Sequence, residues 1–127
     1  MNTRHRSHGQ SLVEFALCLP LLIVIMLGIF DLGRAFHAFV IISNSAREGA
    51  YYAAMHPDDA TGVVNRCLAE AHASGVALTS ANISLATSGV SGSPATVSVQ
   101  FPFALLWSQL VPGQVIPLRA SAQMMVY

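Results

Sequence analysis

The sequence predicts an α+β fold: a long amino-terminal helix that enters a membrane, a second, shorter helix, and a small three-stranded antiparallel sheet. Three observations carry this. The apolar run at residues 15–30 is followed by apolar residues at three-and-four spacing as far as Pro57. A second, shorter helical pattern follows the break at His56-Pro57-Asp58-Asp59. After about residue 82 the hydrophobic period changes from helical to two, the mark of strands with one buried face.

Composition agrees with a membrane segment joined to one small domain. The chain has 127 residues, zero formal charge, 54% hydrophobic and only 9% charged residues, which is more apolar than an ordinary soluble domain. Positive charge comes from arginine alone, scattered at Arg4, Arg6, Arg34, Arg47, Arg66 and Arg119, so no basic patch for nucleic acid is expected.

The run 15–30 is slightly short of the roughly 20 residues a span needs. Its flanks extend the expected transmembrane segment to about 12–33 within one helix over about 10–55. Pro20 inside it is tolerable in a membrane helix, and Gly28 and Gly33 suit close approach by another helix. Arg4 and Arg6 precede the run without any acid, so the amino terminus is expected to stay cytoplasmic. A cleaved secretory signal is disfavoured by the length of the run and by the lack of a small-x-small site after it. Asp31 and Arg34, three apart, are placed to pair where the helix leaves the hydrocarbon. Beyond them Phe36, Phe39, Val40, Ser43, Ala46, Ala50 and Ala53 or Ala54 are expected to form one apolar stripe.

The second helix is expected at about 59–74, started by Asp58 or Asp59 as cap and stopped at Gly75. Val63, Val64, Cys67, Leu68 and Ala71 give it an apolar face, and Gly62 is expected to weaken its first turn. In the tail, Ile83 and Leu85, then Val97, Val99, Phe101 and Phe103, then Leu118, Ala120, Ala122, Met124 and Val126 alternate with polar residues. Residues 88–94 form a hairpin connection, and residues 104–113 a longer one with a helical turn. Such a sheet is marginal alone and needs helix cover.

Candidate chemistry is thin. There is no HExxH, no glycine-rich phosphate loop and no GxSxG. Asp58-Asp59 reads as a helix cap rather than a metal pair, and His56 and His72 as solvated side chains. Cys67, near Glu70 and His72, reads as a small buried hydrophobe. Trp107, Tyr51 and Tyr52 read as packing residues, as do Met124, Met125 and Tyr127 at the strand end. No disulfide is expected between Cys18 and Cys67, and no enzyme activity or cofactor is expected.

Glu14 is different. A carboxylate at the edge of a membrane segment costs free energy, so it asks for a reason. Gly9 lies five residues before it, and a glycine, a glutamate at the fifth position and an apolar helix have the spacing of a prepilin processing site. With cleavage after Gly9, the new amine at Gln10 would be free to pair with Glu14 of a neighbouring subunit in a low-dielectric bundle and set axial register.

The stretches GQSLVEFAL, LGIFDLGRAF and SNSAREGA, within residues 9–54, resemble the TadE-like family, pilin-like proteins of tight-adherence (Flp, type IVc) pilus systems. The resemblance implies a pilin-like α+β architecture and a minor subunit of the pilus, since some 70 residues follow the first helix. By matching position it makes Gly9 the residue before the scissile bond, Gln10 the mature amino terminus and Glu14 the assembly glutamate. It implies a basic leader at 1–9, a long helix at 10–55 and an exported domain at 56–127. The implied partners are a prepilin peptidase, inner-membrane lipid, other pilin-like subunits and the assembly platform. An alternative is a permanently anchored single-pass envelope protein that binds a partner through its exported domain.

Overall fold

A computed structural model describes residues 7–109 and 113–127. The order of elements is α1 (Ser7–Met55), α2 (Ala60–Ala73), β1 (Ile83–Ala86), β2 (Pro94–Ala104) and β3 (Val115–Met125), with 3-10 turns at Ser80–Asn82 and Leu106–Gln109. The fold is α+β, with a three-stranded antiparallel sheet in the order β1-β2-β3. The chain divides after Gly33 into two units.

In the amino-terminal unit α1 runs through Pro20 without ending. Its apolar side chains point outward: Leu12, Phe15, Leu17, Leu21 and Phe30 are all more than 60% exposed. A water-soluble helix would hide such a surface. The helix is long and apolar enough to cross a membrane once.

The unit Arg34–Tyr127 has an ordinary core. Ile42, Ala46, Ala50 and Ala53 of α1, Val63, Cys67 and Ala71 of α2, and Ala95, Val97 and Val99 of β2 are buried together. Each of the larger aliphatic side chains contributes about 1.5–3 kcal/mol by leaving water. The stripe on α1 differs from the one expected. Phe36, Phe39 and Val40 are exposed, and the buried face begins at Ala38 and continues through Ile41, Ile42, Ser45 and Ala46. Two residues turn a helix by about 200°, so Phe36 and Ala38 face nearly opposite ways. Small residues occupy the buried face because α2 and the sheet approach closely. A Cβ on Gly49 would run into the Cys67 sulfur and come within 3.3 Å of Val97 Cγ1.

Local signals set the ends of α2. Asp59 is its N-cap, its side chain accepting a 2.9 Å hydrogen bond from the Gly62 N–H. Gly62 is there for space: an added Cβ would collide with the Asp59 carboxylate and lie 2.6 Å from Tyr52 Cε1. At the other end Val76 N–H donates to the Ala71 carbonyl and Gly75 N–H to the His72 carbonyl. With Gly75 at φ +87°, these bonds make a Schellman stop.

The strands alternate as expected, with Val97, Val99 and Phe103 buried on β2 and Arg119, Ser121 and Gln123 exposed on β3. Pro94 belongs to β2 rather than to the preceding connection. Pro102 stands directly opposite Pro117. Neither residue has an N–H, so this pair occupies a non-hydrogen-bonded position, where the missing donors face away from the partner strand. The chain end is tied back to α1 by a 3.1 Å bond from Tyr127 N–H to the Ala54 carbonyl.

Candidate functional site

The residues singled out by spacing, Gly9, Gln10 and Glu14, lie on the first turns of α1. All three are exposed. Gln10 and Glu14 are one turn apart, and Gln10 Nε2 donates to Glu14 Oε1 at 3.4 Å, a long and weak bond. Gly9 adopts no left-handed backbone, and a Cβ added there would meet nothing within 4 Å. Neither conformation nor packing therefore asks for glycine at this position, where it costs a helix about 1 kcal/mol relative to alanine. Arg4, His5 and Arg6, with the rest of residues 1–6, fall outside the described residues.

A second polar cluster lies on the Arg34–Tyr127 unit. The Tyr52 hydroxyl donates to Asp59 Oδ2 at 2.9 Å, and the Tyr52 ring stacks on His56 with centroids 4.6 Å apart. The Arg66 guanidinium lies 5.6 Å from the centre of the same ring and 3.5 Å from Glu48 Oε1. The Gly62 N–H, and then the Tyr52 hydroxyl, hold the Asp59 carboxyl below its ordinary pKa. The bond to Asp59 raises the Tyr52 phenol. This arrangement fastens the α1–α2 corner. Tyr52 is thus a packing and capping residue, whereas Tyr51 is 51% exposed and packs less than expected.

The other candidates resolve into structure as well. Cys67 is fully buried, and burial pushes its thiol pKa up, away from the reactive thiolate. Both Cys18 and Cys67 are free thiols. Ser45, fully buried on α1, donates to the Cys67 carbonyl at 2.8 Å. His72 is exposed, with Nε2 3.1 Å from the Leu78 carbonyl. Asp31 is buried, and both Asp31 and Arg34 are engaged in interactions. Met124 faces the core, and Met125 and Tyr127 are exposed. The side chain of Trp107 lies outside those described. Among the described residues no three His, Cys, Asp or Glu side chains are grouped to hold a metal.

Sequence reasoning did not find the roles of Ser45 and Gly49, or the contact of Arg34 with Phe103. For Ser45 and Gly49 a signal was present: as small residues they stand at three-and-four spacing from Ile41, Ile42 and Ala46, on one helix face.

The sequence of α1 decides the relationship. Residues 9–50 match the family described as TadE-like protein. Residues 9–50 are a TadE-like domain. No curated protein and no solved structure matches the chain. The TadE-like domain covers Gly9, Gln10 and Glu14, the apolar run, and the α1 face that carries Ser45, Ala46 and Gly49. It stops short of α2 and the sheet.

Proposed function

We propose that the chain is a minor pilin-like subunit of a tight-adherence (Flp, type IVc) pilus, processed after Gly9 by a prepilin peptidase. In this reading the amino terminus is cytoplasmic, α1 crosses the inner membrane, and residues 56–127 lie in the periplasm until assembly. Gln10 becomes the mature amino terminus, and its amine pairs with Glu14 of a neighbouring subunit. Within a helix bundle that pair is strongly favoured over either charge alone. The partners are other pilin-like subunits and the assembly platform, and the chain performs no catalysis.

The observation that carries the reading is Gly9, a helical glycine that the fold does not require. Glu14 supports it, since its carboxylate meets only the weak Gln10 contact in the described hydrogen-bond network. The exposed apolar surface of α1 is equally suited to a bilayer and to a helix bundle.

The test is the intact mass of the protein recovered from membranes of a cell that carries its own prepilin peptidase. Recovery of residues 10–127 supports processing, and Gly9→Ala should abolish it. Recovery of the uncut chain overturns the reading in favour of a permanently anchored envelope protein.

A further inference from the structure

The sheet ends on a long strand whose outer edge is unpaired among the described residues. β3 has 11 residues and lies outermost in the order β1-β2-β3. Its pairing with β2 runs one-to-one from Ala104 and Val115 to Pro94 and Met125, without a bulge. Pro102 and Pro117 mark a non-hydrogen-bonded pair of that ladder, and such pairs recur at every second residue. Arg119, Ser121, Gln123 and Met125 therefore direct their N–H and C=O groups away from β2, toward the open edge.

Shortness, charge and bulges ordinarily blunt a sheet edge. β1, at the other edge, has only 4 residues. β3 is long and regular, and carries only Pro117 near its start and the single charge of Arg119. Its core-side residues are also incompletely covered. Leu118, Ala120, Ala122 and Met124 are partly buried, whereas Ala95, Val97 and Val99 of β2 are fully buried. The strand itself shows what fits this edge. Residues 118–124 read LRASAQM, nearly the same in both directions by residue class. A second β3, antiparallel and centred on Ser121, sets Ser121 against Ser121, Ala120 against Ala122, Arg119 against Gln123 and Leu118 against Met124. Small then meets small, apolar meets apolar, and each arginine meets a neutral amide. Pro117 falls opposite Met125, at the end of the ladder, where its missing donor matters least. A register centred on Arg119 would instead oppose the two arginines. A two-fold contact requires self-complementarity of this kind.

We propose that two copies of the chain join through their β3 edges, in a two-fold antiparallel contact centred on Ser121 that makes their two sheets one. The contact is isologous, so it closes at two copies and does not itself build a filament. It is carried by the Arg34–Tyr127 unit alone, and neither processing after Gly9 nor the role of Glu14 enters it.

The test uses the full chain in detergent micelles with Cys18→Ser, which leaves the buried Cys67 as the remaining native thiol. In this background Ser121→Cys should give a disulfide-linked dimer on mild oxidation, since Cα atoms of a hydrogen-bonded antiparallel pair lie about 5.5 Å apart, within disulfide reach. Ser84→Cys, exposed on β1 at the far edge, should stay monomeric. Gln123→Arg sets a like charge opposite Arg119 at two symmetric places and should raise the dimer dissociation constant about tenfold in analytical ultracentrifugation. Gln123→Glu should lower it by a similar factor. Gln123 is exposed, so both variants keep the fold. A folded Ser121→Cys protein that does not cross-link, or one that cross-links no better than Ser84→Cys, overturns the edge contact. A dimer whose dissociation constant is the same in both Gln123 variants also overturns it and assigns association to α1.

Discussion

Gly49→Ala is the sharpest test of how the helices and sheet meet. In an exposed helix interior this change stabilises by about 1 kcal/mol, because alanine forms helix more readily than glycine. At position 49 the new methyl has no room. It would collide with the Cys67 sulfur, reach 3.3 Å from Val97 Cγ1 and sit 3.6 Å from Val63 Cγ1. All three neighbours are fully buried, so each can move only into packed space. The sulfur has a single rotor, and one of its three wells is hindered in a helix. Overpacking of this kind costs about 1–3 kcal/mol, and a contact this close belongs in the upper part of that range. Setting about 2–3 kcal/mol against the propensity gain of about 1 leaves a net loss of about 1–2 kcal/mol. The measurement is urea unfolding of the full chain in detergent micelles, followed by proteolysis of the Arg34–Tyr127 unit. Cys67→Ala should cost about 1 kcal/mol alone and should relieve Gly49→Ala, with a coupling of at least about 1 kcal/mol in the double-mutant cycle. A Gly49→Ala protein more stable than its parent, or strictly additive effects, would refute the close approach.

Four further outcomes are expected. Ser45→Ala should lose about 1 kcal/mol and no more, since the Cys67 carbonyl keeps its own helix hydrogen bond while the serine donation is lost; the same urea titration reads it. Asp59 has a lowered folded pKa, so its stabilisation is present above the ordinary carboxylate pKa of 3.8 and is lost as pH falls through the folded value. Tyr52 has a raised folded pKa, so its share is complete below 10.0 and is lost as pH rises through the folded value. Tyr52→Phe should therefore flatten the alkaline limb of the melting temperature against pH and leave the acid limb weaker but present. Gly75→Ala forces a Cβ into a left-handed turn at φ +87° and should cost about 1–2 kcal/mol, read as a lower urea midpoint. Glu14→Gln should insert into membranes normally and fail to assemble, as counted by filaments in electron micrographs; normal piliation of that variant removes the register role.

Elements whose ends are set by neighbouring residues were legible in the sequence. Asp59 and Gly75 bracket α2 through bonds made within a turn of themselves, and period two along β2 and β3 follows from strand geometry alone. The buried face of α1 was not legible to the same degree. Phe36, Phe39 and Val40 fit an apolar helical pattern as well as Ala38, Ile41 and Ile42 do, and only the position of the sheet decides between them. The Gly62 contact with Tyr52 and Asp59 was hidden for a similar reason: it joins two helices across a corner, so its spacing in sequence follows no period. At the candidate site the position of Gly9 against Glu14 was readable from the sequence, because it is a spacing along one chain. What the pair would contact was not, because in the proposed reading that partner is another molecule.

The TadE-like domain holds two kinds of motif, and the structure separates them. The residues Ser45, Ala46, Gly49 and Ala50 of the SNSAREGA stretch are buried in the core: Ser45 bonds the Cys67 carbonyl, and Cys67, Val63 and Val97 leave no room for a Cβ at Gly49. These residues would be needed by this fold whatever the protein did. Gly9, Gln10 and Glu14 of the GQSLVE stretch carry no such explanation. They are exposed, joined only by one long side-chain bond among those described, and glycine at position 9 weakens the helix that contains it. A residue that lowers stability without serving conformation or packing points to a requirement imposed from outside the chain. In the proposed reading, a protease that must open the first helical turn and a neighbouring subunit that supplies a cation for Glu14 would together meet that requirement at both positions.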